Sequence, residues 1–154
     1  MQVYIVRHAE AEPAGPSGDG ARRLTERGRA QARATGAGLR ALGVRLELLL
    51  TSPRARALET AALLAEELAG PTPEVRPVLD GAAPADEILD ELRVLAGFEQ
   101  VALVGHMPVV AELVGLATGG PAPGLGTACV ALVEFPARPG RAAGQLAWIR
   151  SPQL

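Results

Sequence analysis

The chain is poor in the residue types that most often build a site. It has one cysteine, Cys129, and two histidines, His8 and His106, in 154 residues. A lone thiol excludes an intrachain disulfide and a cysteine-built zinc centre, and it fits a reducing interior. Two histidines without an HExxH spacing give no support to a zinc site, so no metal is expected. There is no lysine, and all fifteen basic side chains are arginines. Ala, Gly, Pro and Leu are abundant as well, the pattern of a GC-rich coding bias. The number of arginines therefore carries no weight, and only their positions do. The formal charge of −2 leaves no basic footprint for nucleic acid. No apolar run reaches the ~18–20 residues a membrane span requires. The N-terminus enters a strand pattern at once, without the basic region or cleavage site of a signal peptide, and a cytoplasmic protein is expected. With no Walker A motif and no GxGxxG, nucleotide cradling has no support.

What is present is a regular alternation. Gln2–Val6, Leu46–Thr51 and Gln100–Val104 are short apolar runs that read as buried strands. Between and after them come helical patterns: from Thr25, a capping residue, to about Leu42; from Ser52-Pro53, a cap and a first-turn proline, to Leu68; Pro84–Leu95; and Pro108–Thr118. Val75–Leu79 reads as a strand that Pro77 confines to an edge. Ala128–Phe135 and Gln145–Ile149 are late strands with no clear helix between them, which predicts a hairpin or an antiparallel edge. The expected fold is a three-layer α/β/α sandwich with a mostly parallel central sheet, formed by residues 1–154 as one domain. Cys129 and Trp148 read as packing residues.

In open α/β sheets, ligands bind outside the carboxyl ends of the strands. Three such ends carry distinctive chemistry here: Arg7-His8, Thr51-Ser52-Pro53 followed by Arg54 and Arg56, and Gly105-His106. If those strands are neighbours, both histidines of the chain converge with at least two guanidiniums and two helix N-termini. Paired guanidinium donors and helix N-termini suit a tetrahedral anion. An unprotonated His8, its other ring nitrogen held by a fixed acceptor such as a backbone carbonyl, would be a nucleophile. His106 would be protonated or hydrogen-bonded to an equatorial oxygen. Ser52 reads as a cap and Arg54 as a solvated helix residue.

At these positions the sequence resembles the histidine phosphatase, or phosphoglycerate mutase-like, superfamily. Arg7-His8-Ala9 stands where that family ends its first strand in Arg-His-Gly. Leu24-Thr25-Glu26-Arg27-Gly28-Arg29-Ala30-Gln31-Ala32 matches a Leu-Thr-x-x-Gly-x-x-Gln-Ala block. Ser52-Pro53-Arg54-Ala55-Arg56-Ala57-Leu58-Glu59-Thr60-Ala61 matches Ser-Pro-x-x-Arg-Ala-x-x-Thr-Ala, and Gly105-His106 follows a central strand. The resemblance implies that His8 is the phosphorylated nucleophile, that Arg7, Arg56 and His106 complete the phosphate pocket, and that no cofactor is needed. Ala9 in place of glycine matters only if the backbone there requires positive φ. The length, the opening Gln2–His8 and the ending Trp148-Ile149-Arg150-Ser151-Pro152 are similar to the short phosphohistidine phosphatases of the SixA type.

Ester-cleaving members of that family protonate the leaving oxygen with a carboxylic acid after the third strand. The candidates here are Asp80 and Glu87, each with an ordinary structural reading in a turn or a helix first turn. Glu10 and Asp19 are further outsiders. Weak provision of an acid fits phosphohistidine, whose leaving imidazole has a conjugate acid of pKa about 6.5. The expected partner is thus a phosphorylated protein bearing phosphohistidine. A small phosphate ester is the alternative, and a non-catalytic phosphoprotein-binding module is a more distant one. The Arg-bearing segment Ala137–Arg141 reads as a solvated loop.

Overall fold

The computed structural model describes residues 1–154. Strand β1 (Gln2–Arg7) is followed by a long loop with a single 3-10 turn at Asp19–Ala21, then helix α1 (Glu26–Ala41), strand β2 (Leu48–Thr51) and helix α2 (Ala55–Leu68). Next come the two-residue strand β3 (Glu74–Val75), a 3-10 turn at Pro77–Leu79 and helix α3 (Ala85–Val94). Strand β4 (Gln100–Gly105), helix α4 (Val109–Thr118), and strands β5 (Val130–Glu134) and β6 (Gln145–Arg150) complete the chain. The sheet order is β3-β2-β4-β1-β5-β6. β1 to β4 are mutually parallel where they pair, while β5 runs antiparallel to β1 and β6 antiparallel to β5.

Side chains alternate across the strands and so feed two cores, which explains why the strands read as continuous apolar runs. Val3, Ile5, Leu48, Leu50, Val101 and Leu103 pack with α3 and α4. Tyr4, Val6, Leu49, Ala102 and Val104 pack on the other face against Leu39 of α1 and Ala57, Ala61 and Leu64 of α2. The three-layer sandwich, the edge position of β3 and the antiparallel late strands all follow the sequence expectation.

Two local expectations are corrected. The strand expected over Val75–Leu79 stops after Val75, because Pro77 has no N–H for the ladder and its fixed φ suits the 3-10 turn it opens. Helix α2 begins at Ala55 with Arg54 at the cap position, so Ser52 is not its cap and Pro53 lies outside it.

The Leu-Thr-x-x-Gly-x-x-Gln block has a readable purpose: it grips the backbone just after His8. Thr25 caps α1, its Oγ1 accepting from Gly28 N–H at 2.9 Å. The Glu10 carbonyl accepts from Thr25 N–H at 3.0 Å, and Glu10 N–H donates to Gln31 Oε1 at 2.9 Å. Gly28 is required because a Cβ there would lie 1.9 Å from the Glu10 carbonyl oxygen. Gly28→Ala is expected to force that strand end off α1 and to cost at least the ~1–3 kcal/mol typical of overpacking. A denaturation midpoint equal to wild type would contradict the close approach.

Candidate active site

β4 lies between β1 and β2, and this neighbourhood puts the three polar strand ends side by side. Backbone bonds lock them together: His8 N–H donates to Gly105 O at 3.1 Å and Ser52 N–H to Val104 O at 3.0 Å. On the other side Ala128 N–H reaches the Arg7 and His8 carbonyls, each at 3.1 Å. The imidazoles of His8 and His106 are both buried, with ring centroids 5.2 Å apart.

Each side chain is held by a specific partner. His8 Nδ1 lies 2.7 Å from the Ala9 carbonyl, an acceptor that fixes the proton on Nδ1 and leaves Nε2 unprotonated. Arg56 Nε donates toward that Nε2 at 3.4 Å. Arg7 is anchored by Nη1 donating to Leu125 O at 2.9 Å, while its Nε is buried without a protein partner. His106 Nε2 lies 2.7 Å from Ser52 Oγ, and its Nδ1 is likewise buried and unpartnered. Ala9 does not adopt positive φ. Its N–H donates to Thr60 Oγ1 at 3.0 Å and its methyl is fully buried, so alanine in place of glycine strains nothing here.

Arg54 and the acids are placed differently from the sequence reading. Arg54 is not a free solvated residue. It bridges Asp19 of the first loop and Asp80, its Nε donating to Asp80 Oδ1 at 2.8 Å. Asp19 also takes the outer edge of Arg56, through its carbonyl at 2.9 Å and Oδ2 at 3.2 Å, and pairs with Arg22. Hydrogen bonds and charges from these arginines hold the Asp19 carboxyl below its usual range, led by Arg22. Glu10, bonded to Thr25 and Arg27, is lowered as well. Neither suits a proton donor. Asp80 is at the site through Arg54. Glu87 is exposed on α3 and lines a separate depression with Asp90 and Glu91 that includes neither histidine. No three His, Cys, Asp or Glu side chains cluster as metal ligands.

Sequence reasoning missed Asp19 as an arginine partner, Ser52 as the partner of His106, and Thr60 as the clamp on Ala9. Thr60 had a signal: it lies four residues after Arg56 and so on the same helix face. Asp19 had none, because its contacts depend on how the long loop folds back.

Four guanidiniums (Arg7, Arg22, Arg54, Arg56) against two carboxylates (Asp19, Asp80) leave a surplus of two positive charges around neutral imidazoles. That balance matches a phosphoryl dianion, and the partnerless donor on Arg7 is one such a group would satisfy.

The comparisons with known proteins agree with this geometry. The family model for the histidine phosphatase superfamily (branch 1) matches residues 3–82, a little over half of the chain. The chain belongs to the histidine phosphatase superfamily. An uncharacterized protein of Picosynechococcus sp. is 36% identical over 118 residues, covering 73% of this chain and 70% of that one. The structure of the protein histidine phosphatase SixA complexed with tungstate superposes with a TM-score of 0.91 at 29% identity, covering 99% of this chain and 97% of that one. The alpha-ribazole phosphatase from Shigella flexneri shares the fold, with a TM-score of 0.77 at 17% identity over 99% of this chain and 97% of that one. Family and structure together support a phosphatase activity. No helix is long and apolar enough to cross a membrane.

The histidines carry a pH signature. Burial holds His8 down at about 4, opposed by the bond to Ala9 and reinforced by Arg56, Arg7 and Arg22. Burial and the charge of Arg56 hold His106 at about 3. An unfolded imidazole titrates near pH 6.5, so between about 6.5 and 4 the unfolded chain binds protons that the folded chain does not. Stability therefore falls as pH is lowered through that window. The expected result is a lower urea midpoint at pH 5 than at pH 7, with a smaller drop in His106→Gln, and both imidazoles still neutral at pH 5.5 by NMR. A histidine titrating near 6.5 in the folded protein would contradict this environment.

Proposed function

We propose that the protein hydrolyses protein-bound phosphohistidine through a phosphoenzyme on His8. The observation that carries this is the pairing of His8 Nδ1 with the Ala9 carbonyl while Nε2 faces Arg56. A neutral, oriented imidazole with its lone pair turned to a guanidinium is a nucleophile beside an oxyanion clamp.

With the substrate ring protonated from solvent on its distal nitrogen, Nε2 of His8 attacks phosphorus in line as the P–N bond breaks, and the electron pair leaves on a neutral imidazole. The phosphorylated ring gains positive charge, which the Nδ1–H to carbonyl bond stabilises. Water then attacks phosphorus, the bond to Nε2 breaks, and inorganic phosphate leaves. Arg7, Arg56 and His106 hold the three peripheral oxygens throughout, the main catalytic term in phosphoryl transfer. No acid is needed for a leaving group of pKa about 6.5, which fits the engagement of Glu10, Asp19 and Asp80 by arginines. The likeness to the protein histidine phosphatase SixA supports the same substrate class.

Phosphate release from a histidine-phosphorylated protein is expected with wild type and not with His8→Ala. Arg56→Ala is expected to lower kcat by about 10²–10³-fold, as for the loss of one preorganised donor. Alkyl phosphate turnover at equal or higher kcat/KM would overturn the assignment in favour of a small phosphomonoester substrate.

A further inference from the structure

We propose that Ser52 is a positioning residue that fixes His106 as its Nδ1–H tautomer, so that a neutral imidazole offers a hydrogen-bond donor to the phosphoryl group. The proposal deepens the phosphatase reading above and rests on it for the identity of the acceptor, but not for the tautomer itself.

Ser52 is fully buried at the end of β2, and its backbone is pinned by the bond to Val104. A serine hydroxyl has one hydrogen to give and two lone pairs. One lone pair accepts from Arg54 N–H at 3.2 Å, a bond that can run only in that direction. The other contact is His106 Nε2 at 2.7 Å, and the hydroxyl has no further hydrogen-bond partner. If Nε2 carried the ring proton, the serine hydrogen would have no acceptor. The unpartnered Nδ1 would then be a bare lone pair, which repels a phosphoryl oxygen. If Ser52 donates instead, its hydrogen has an acceptor and only one oxygen lone pair is spare, Nε2 is satisfied as an acceptor, and the proton must sit on Nδ1. The one hydrogen left without an acceptor is then the buried Nδ1–H, and unsatisfied buried donors are costly unless a ligand takes them. An imidazolium would again leave the serine hydrogen idle, and burial beside Arg56 and Arg54 opposes it. Ser52 thus lets a neutral ring do the work otherwise given to a cation, without a second positive charge repelling Arg56. It also links His106 to the Arg54 amide, and so to the start of α2.

The test is a long-range ¹H–¹⁵N correlation spectrum of the full chain. Only two histidines contribute, and His8→Ala assigns them. Wild-type His106 is expected to show a protonated Nδ1 and an unprotonated Nε2. In Ser52→Ala the Nε2–H form is expected to appear, with kcat on a histidine-phosphorylated protein lower by about tenfold, the order of one misdirected hydrogen bond, and KM little changed. Ser52→Cys, which keeps a weak donor, is expected to recover part of both. An Nε2–H ring in wild type would overturn the proposal even if Ser52→Ala failed to fold. So would an unchanged tautomer in a folded Ser52→Ala, whatever its activity. A correct tautomer in a protein inactive on every phosphorylated substrate would instead count against the phosphatase reading alone.

Discussion

Everything in the site depends on parallel strand pairing at the centre of the sheet. β4 is bonded to β1 on one side and β2 on the other, so three chain segments from distant parts of the sequence end at the same level. Each end then turns polar at the same point. The ladder extends one step beyond the strands, through His8 N–H to Gly105 O and Ser52 N–H to Val104 O. Buried strands are the stiffest part of such a domain. Backbone bonds place the two residues, and the ring contacts of His8 with the Ala9 carbonyl and of His106 with Ser52 then orient the imidazoles, the kind of preorganisation that electrostatic catalysis requires.

Around that fixed pair, burial and charge act in the same direction. Burial is the larger cause that keeps both rings neutral, and the guanidiniums around them reinforce it. Neutrality is useful twice: it gives His8 a lone pair, and it leaves the positive charge on arginines, which cannot lose it. The carboxylates of Asp19 and Asp80 restrain that excess. They hold Arg54 and Arg56 from their outer side and leave Arg56 Nε turned to His8. The first loop is thereby tied to the site through ion pairs, although its own structure is slight.

Much of this was legible in the sequence. The apolar runs ending in Arg7-His8, Thr51-Ser52 and Gly105-His106 pointed to the place where the structure brings both histidines together, because strand ends in open α/β sheets are where ligands bind. The ordered blocks located the family. What could not be read was contact between segments whose spacing is irregular. Asp19 sits in a Pro- and Gly-bearing loop with no periodicity, so its grip on Arg54 and Arg56 exists only in three dimensions. Ser52-Pro53 has the local signature of a helix start, and that signature misleads. The helix begins only at Ala55, after an extended Arg54, and the serine hydroxyl meets His106 and the Arg54 N–H instead of capping the helix. Pro77 was read correctly as a strand weakener but not as the start of a 3-10 turn.

The central claim is that His8 Nε2 becomes covalently phosphorylated. The most direct measurement is to mix the protein with a histidine-phosphorylated protein for less than one turnover, quench in alkali, where an N–P bond survives, and map the phosphate by mass spectrometry. The account predicts a single phosphorylated peptide containing His8, formed and lost at rates that match turnover. Turnover of the substrate with no phosphate on His8, or with phosphate on another residue, would contradict it.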